Sequence, residues 1–159
     1  MKKILFRGKT FNDEWVEGAL VKWSKAHSII RRYGSDTIGL YEYSVISKTV
    51  GQFTGLTDKN GKKIFEGDIV RLFDISVGEI VQECGAFGIG CRKQIDYDYL
   101  ASEIAPVTGN NNTPMFCYND NFVSLWELWW NYNEEGDEIS VIEVIGNIHD
   151  NPELLEVTK

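Results

Sequence analysis

Carboxylates are the reactive side chains this sequence holds in excess, with 24 Asp and Glu against 16 Lys and Arg and 2 His. Asp58, Glu66, Asp68, Asp74, Asp96 and Asp98 offer the paired acids that general acid–base chemistry uses, but a chain this acidic supplies such pairs by number alone. Asp96-x-Asp98 opens like a calcium loop and lacks the rest of its ligand pattern, including the glutamate at the twelfth position. His27 and His149 are too far apart in sequence to share a metal-ligand spacing, and Cys84, Cys91 and Cys117 form no Cys-x-x-Cys unit. The glycine cluster from Gly85 to Gly90 is followed by Cys91-Arg92-Lys93, without the lysine-serine pair of a phosphate loop, and reads as a hairpin turn. Gly-x-Ser-x-Gly, His-Glu-x-x-His and a nucleotide fingerprint are absent. The residues point to a protein that is not an enzyme and carries no cofactor or metal.

The elements that would position these side chains are punctuated most strongly between Gln52 and Leu72. In Asp58-Lys59-Asn60-Gly61 an aspartate and an Asn-Gly pair supply side-chain-to-backbone hydrogen bonds and easy positive φ, so the chain should reverse there. Gly67-Asp68 repeats the device, with Gly67 as a permissive corner and the Asp68 carboxylate accepting from N–H groups just after it. A strand from Ile69 to Phe73 should follow. Phe53, Gly55, Leu56, Asp58, Asn60, Gly61, Gly67 and Asp68 are therefore structural signature residues, with Gly55, Gly61 and Gly67 as backbone corners.

Phe53-Thr54-Gly55-Leu56, Asp58-Lys59-Asn60-Gly61 and Glu66-Gly67-Asp68-Ile69-Val70 together resemble the signature of the YopX-like family of phage and prophage proteins. The resemblance extends to Leu5-Phe6-Arg7-Gly8-Lys9 with Trp15-Val16-Glu17-Gly18, and to the run from Val144 through Gly146-Asn147-Ile148-His149-Asp150 to Leu155. It frames the chain, while residues 20–50 and 74–140 carry no family pattern. It implies a phage origin, a largely β fold and self-assembly, and it brings no established activity and no catalytic residues.

With 159 residues, 43% hydrophobic and 13% aromatic, the chain suits one folded, mainly β domain over 1–159. Its expected parts are an N-terminal β meander over 1–50, signature and barrel strands over 51–105, and a C-terminal hairpin and tail over 122–155. Strands are expected at Ile4–Phe6, Trp15–Trp23, Ser28–Tyr33 and Glu42–Ile46, with a turn at Gly34-Ser35-Asp36. Glu66-Gly67-Asp68-Ile69-Val70, a short strand and a further β-branched strand resemble the start of an SH3-like small barrel, a likeness of fold that does not convert to function. Few short helices are expected, among them one turn within Gln94–Ala105 ended by Pro106, and Val107–Asn121 reads as an exposed loop.

Phe122 to Tyr132 fits a helical stripe, whereas the polar turn after it favours a β-hairpin. Trp126, Trp129 and Trp130 either pack in the core or anchor an oligomer interface, because an aromatic side chain covers roughly 150–250 Å². A base-stacking platform is opposed by the acidic surroundings.

Residues 1–33 hold eight bases against three acids, and residues 94–159 one base against thirteen acids. Overall acidity disfavours non-specific nucleic-acid binding, which depends on neutralising phosphates. Opposite charge at the two ends suits a head-to-tail homo-oligomer. The acidic last third alternatively suits an inhibitor that mimics nucleic acid and binds a host protein. A small-molecule enzyme is the third reading. Three cysteines cannot all pair within one chain, so reduced, buried thiols and the cytoplasm of a bacterial host are expected. The apolar run after Met1 is broken by Arg7 and Lys9, and no stretch is long enough to span a membrane.

Overall fold

The computed structural model describes residues 4–32, 39–74, 76–90, 117–119 and 122–156. The turn expected at Gly34-Ser35-Asp36, the helical turn within Gln94–Ala105, Pro106, and Asp96, Asp98 and Cys91 lie outside the described residues.

Alternating side chains in the first third produce a meander. Strands β1 (Phe6–Lys9), β2 (Trp15–Lys22), β3 (His27–Arg32) and β4 (Leu40–Val45) run antiparallel. Two more, β5 (Gly51–Thr57) and β6 (Lys63–Phe65), complete a sheet of order β4-β3-β2-β1-β5-β6. In β2 the buried Val16 and Gly18 share one face, as period-2 alternation requires of a strand lying between two others. Val16, Ile29 and Val45 form a small core with Phe6, Leu20, Tyr43 and Val50 around it. A single bridge from Thr10 to Val45, with Ile46 N–H donating to Lys9 O at 2.8 Å, curls β4 back onto the end of β1.

The second sheet has the order β10-β11-β9-β8-β7-β12, with β7 (Asp68–Leu72), β8 (Ser76–Glu83), β9 (Ala86–Gly90), β10 (Cys117–Asn119), β11 (Phe122–Ser124) and β12 (Ile142–Asn147). The glycine cluster does form a hairpin, with Cys84 (φ 50°) and Gly85 (φ 81°) turning β8 into β9. That turn also leaves the Cys84 thiol exposed, where a buried one was expected. Residues 117–119, read from sequence as loop, pair with β11 instead. At Gly88 a Cβ would stand 2.7 Å from Val123 O and closer still to the Phe122 ring, so β9 and β11 approach only because glycine is there.

Among the described residues the strands form two antiparallel sheets that remain open, and their pairings do not close the SH3-like barrel expected around the signature. The signature is divided between them: β5 and β6 belong to the first sheet, and β7 opens the second. Leu56 and Ile64 nonetheless pack into the larger core with Val70, Ile80, Ile89 and Ile142, which joins the sheets through apolar burial.

Residues 122–132 are both strand and helix. Phe122–Ser124 pairs with β9, and helix α1 (Leu125–Tyr132) follows at once. Ser124 makes no side-chain cap, so the eight-residue helix is held by burial of Leu125, Leu128 and Tyr132 on one face.

Candidate functional site

The three stretches that carry the family resemblance converge on one place. Asp68, 1% exposed, receives Phe65 N–H on Oδ2 at 2.7 Å, and its Oδ1 lies 2.6 Å from Arg7 Nη2 of β1. Its backbone donor precedes it in the chain, whereas a donor just after it was expected. The Arg7 side chain is only 12% exposed, and its guanidinium carbon sits 4.8 Å from the ring centroids of both Trp15 and Phe65. Among the described residues Nε has no hydrogen-bond partner, and Nη2 meets Asp68 as a close charge pair. Burial raises the Asp68 carboxyl above its ordinary value, against the opposing effects of Arg7 and the Phe65 N–H.

The C-terminal stretch closes over this pair. Ile148 N–H donates to Gly67 O at 2.9 Å, and Gly67, at φ 87°, lies beneath Ile148 and His149. Asp150 accepts from Lys9 Nζ at 2.6 Å, Trp15 Nε1 at 2.8 Å and Asn147 Nδ2 at 3.0 Å. Those donors, Lys9 first, hold the Asp150 carboxyl well below its usual range. Burial, then the nearby Arg7, lowers the His149 imidazole, whose ring centroid is 6.0 Å from that of Trp15.

Asp58, also 1% exposed, makes the second connection. Its Oδ1 accepts from the N–H groups of Asn60 and Lys62, and its Oδ2 accepts from Val144 N–H in β12, each at 2.9 Å. Asn60 and Gly61 (φ 77°) complete the corner, while Gly55 (φ 87°) marks the register shift between Phe53 and Thr57. Phe53 packs on Phe65 at 5.4 Å between centroids, and Leu56 is core. Sequence reasoning identified these corners but missed Arg7, Lys9, Trp15 and Asp150 as partners. All four lie inside the flanking motifs, which do not say what they will meet.

The tryptophans lie elsewhere. Trp126 and Trp130 are 54% and 70% exposed, so the core-packing alternative does not hold for them. Trp129 is half-buried and touches both, its centroid 5.0 Å from Trp126 with the rings 30° apart and 6.4 Å from Trp130 with the rings 59° apart. Its Nε1 donates to Gly136 O at 3.0 Å, and Asn133 Nδ2 donates to Gly136 O and Glu138 O, which fixes the following loop against the rings.

An open cleft of about 250 Å³ is lined by Lys59, Phe73, Asp74, Ser140, Val141 and Glu143. Its charges are engaged with one another, Lys59 Nζ lying 3.3 Å from Glu143 and 3.7 Å from Asp74. Among the described residues no three His, Cys, Asp or Glu side chains are placed to hold a metal ion, and no helix is long and apolar enough to cross a membrane.

Comparison with curated proteins gives no match. The crystal structure of protein EF1440 from Enterococcus faecalis is similar over 98% of this chain and 99% of that one, at 22% identity and a TM-score of 0.46. Residues 5–156 match the family described as YopX protein, from the first of the three converging stretches to the end of the last. The chain belongs to the YopX protein family.

Proposed function

We propose that this is a phage- or prophage-encoded protein that works by non-covalent binding, as a self-associating structural or interaction module of the bacterial cytoplasm, with no catalytic step. The observation that carries the reading is the clustered tryptophan face of α1, where Trp126 and Trp130 expose large apolar rings. Exposed aromatic anchors of this kind gain most when a partner removes them from water. Both oxygens of Asp58 and of Asp68 are occupied within the fold, which favours a structural role for the signature carboxylates. The strands β7 to β9, with Leu56 and Ile64 packed against them, would be the SH3-like part of such a module.

Sedimentation velocity tests the reading. The wild-type chain should exceed its 18.1 kDa monomer mass at micromolar concentration, and Trp126→Ser/Trp130→Ser should return it towards monomer while its far-UV circular dichroism stays that of the wild type. Monomeric wild-type protein at low and physiological salt overturns it. The acidic run Glu134, Glu135 and Asp137, all exposed, favours a second reading as an inhibitor that binds a basic host protein. Capture of a nucleic-acid-binding protein from host lysate at low salt, lost on Glu134→Lys/Glu135→Lys, would support that one.

A further inference from the structure

We propose that the tryptophan face of α1 takes the Lys22–Lys25 end of the β2–β3 hairpin of a second copy, giving a head-to-tail contact; this rests on the self-association reading above. The face has a charged border. Glu134, Glu135 and Asp137 are exposed in the loop after α1, and the Trp129 Nε1 and Asn133 Nδ2 bonds to Gly136 O hold that loop beside the rings. An aromatic face edged by carboxylates selects a cationic partner: the rings attract an ammonium group by cation–π interaction, tryptophan most strongly, and the carboxylates by Coulomb attraction.

The chain itself carries a surface of the opposite kind on its other sheet. At the β2–β3 turn Lys22, Trp23, Ser24, Lys25 and Ala26 are all exposed, closed by Trp23 N–H donating to Ala26 O at 2.8 Å. Trp23 is 55% exposed, and its Nε1 donates to Ser28 Oγ at 3.2 Å and to Glu42 Oε1 at 3.3 Å, which holds the ring in one orientation on a turn that also carries the two lysines. Arg7, Lys9, Lys59, Lys63 and Arg71 are ion-paired within the chain. Among the described residues Lys22, Lys25, Glu134 and Glu135 are not. Two surfaces of opposite unpaired charge, each beside an exposed tryptophan and on different sheets, complement one another between copies. Because the patches differ, the contact is heterologous, and it propagates to a ring or an open chain.

Charge-reversal exchange tests the pairing. Lys22→Glu/Lys25→Glu and Glu134→Lys/Glu135→Lys should each weaken assembly by about tenfold or more in sedimentation velocity, and mixing the two variants should restore it, since each then offers what the other lacks. Zero-length carbodiimide cross-linking of the wild-type protein gives an independent reading, with Lys22 or Lys25 expected to join Glu134 or Glu135. If the wild type assembles but neither reversal weakens it and no such cross-link forms, this contact is overturned while self-association stands. If the wild type is monomeric throughout, both fall. If it is monomeric but binds polylysine through α1, the occupant is a foreign basic segment and the pairing is overturned.

Discussion

Arg7 in β1 and Asp68 in β7 form a buried ion pair, 2.6 Å between Nη2 and Oδ1, that ties the first sheet to the second. Removing one partner leaves the other charged and shielded from water. Asp68→Ala should therefore cost about 3 kcal/mol or more in urea unfolding, and Arg7→Met/Asp68→Leu, which removes both charges, should cost less. An Asp68→Ala variant within 0.5 kcal/mol of wild type, by the roughly 3–5 kcal/mol seen when such pairs are broken, contradicts this account.

Gly67 sits at φ 87° with no atom nearer than 3.6 Å to a Cβ built on it. Space is available, so the penalty for a side chain is conformational. Gly67→Val should cost about 1–3 kcal/mol and Gly67→Asn clearly less, because asparagine tolerates the left-handed region. Equal losses for the two would point to crowding by Ile148 instead.

The Tyr132 hydroxyl is buried without a hydrogen-bond partner among the described residues, and burial pushes its pKa up to about 12. Phenylalanine keeps the ring, its edge-on contact with Phe73 at 5.2 Å and the helix anchor, while removing the unsatisfied group. Tyr132→Phe should leave stability unchanged or raise it by about 1 kcal/mol. A loss of that size would reveal a partner for the hydroxyl.

Acid should act on the C-terminal clasp in a definite order. His149 has a folded pKa below its ordinary 6.5, so the stability it contributes is complete above that value and is lost as pH falls through the folded pKa. Asp150, also lowered, contributes stability above 3.8 that is lost at more acid pH still. Asp68 has the opposite sign: its raised pKa favours folding as pH falls between its folded value and 3.8. Melting temperatures followed downward from neutral pH should show a first decline that His149→Asn flattens. An identical decline in the variant would remove His149 as its source.

The corners were legible because positive φ is a local demand that glycine meets locally, as at Gly55, Gly61 and Gly67. Asp58 was legible as a turn residue because its bonds to the Asn60 and Lys62 N–H groups are local too, but its bond to Val144 depends on a strand far away in the chain. Arg7 gave no sign of its partner, since nothing in Phe6-Arg7-Gly8 says which carboxylate will face it. The helix–strand ambiguity at residues 122–132 reflected a real change of state at Ser124. Exposure of Trp126 and Trp130 was hidden because they neighbour the buried Leu125 and Leu128 in sequence, and a stripe drawn through aromatic residues does not say which side is wet.

The placement of β12 against β7 fixes an order of events during synthesis. Until Ile142 to Asn147 has left the ribosome, the Asp68–Leu72 strand keeps one backbone edge unpaired, with no N–H from Val144 for Asp58 and no clasp over Arg7. The nascent chain therefore carries a sticky strand through the translation of about half its length, and that interval is when it is most exposed to pairing with the wrong neighbour.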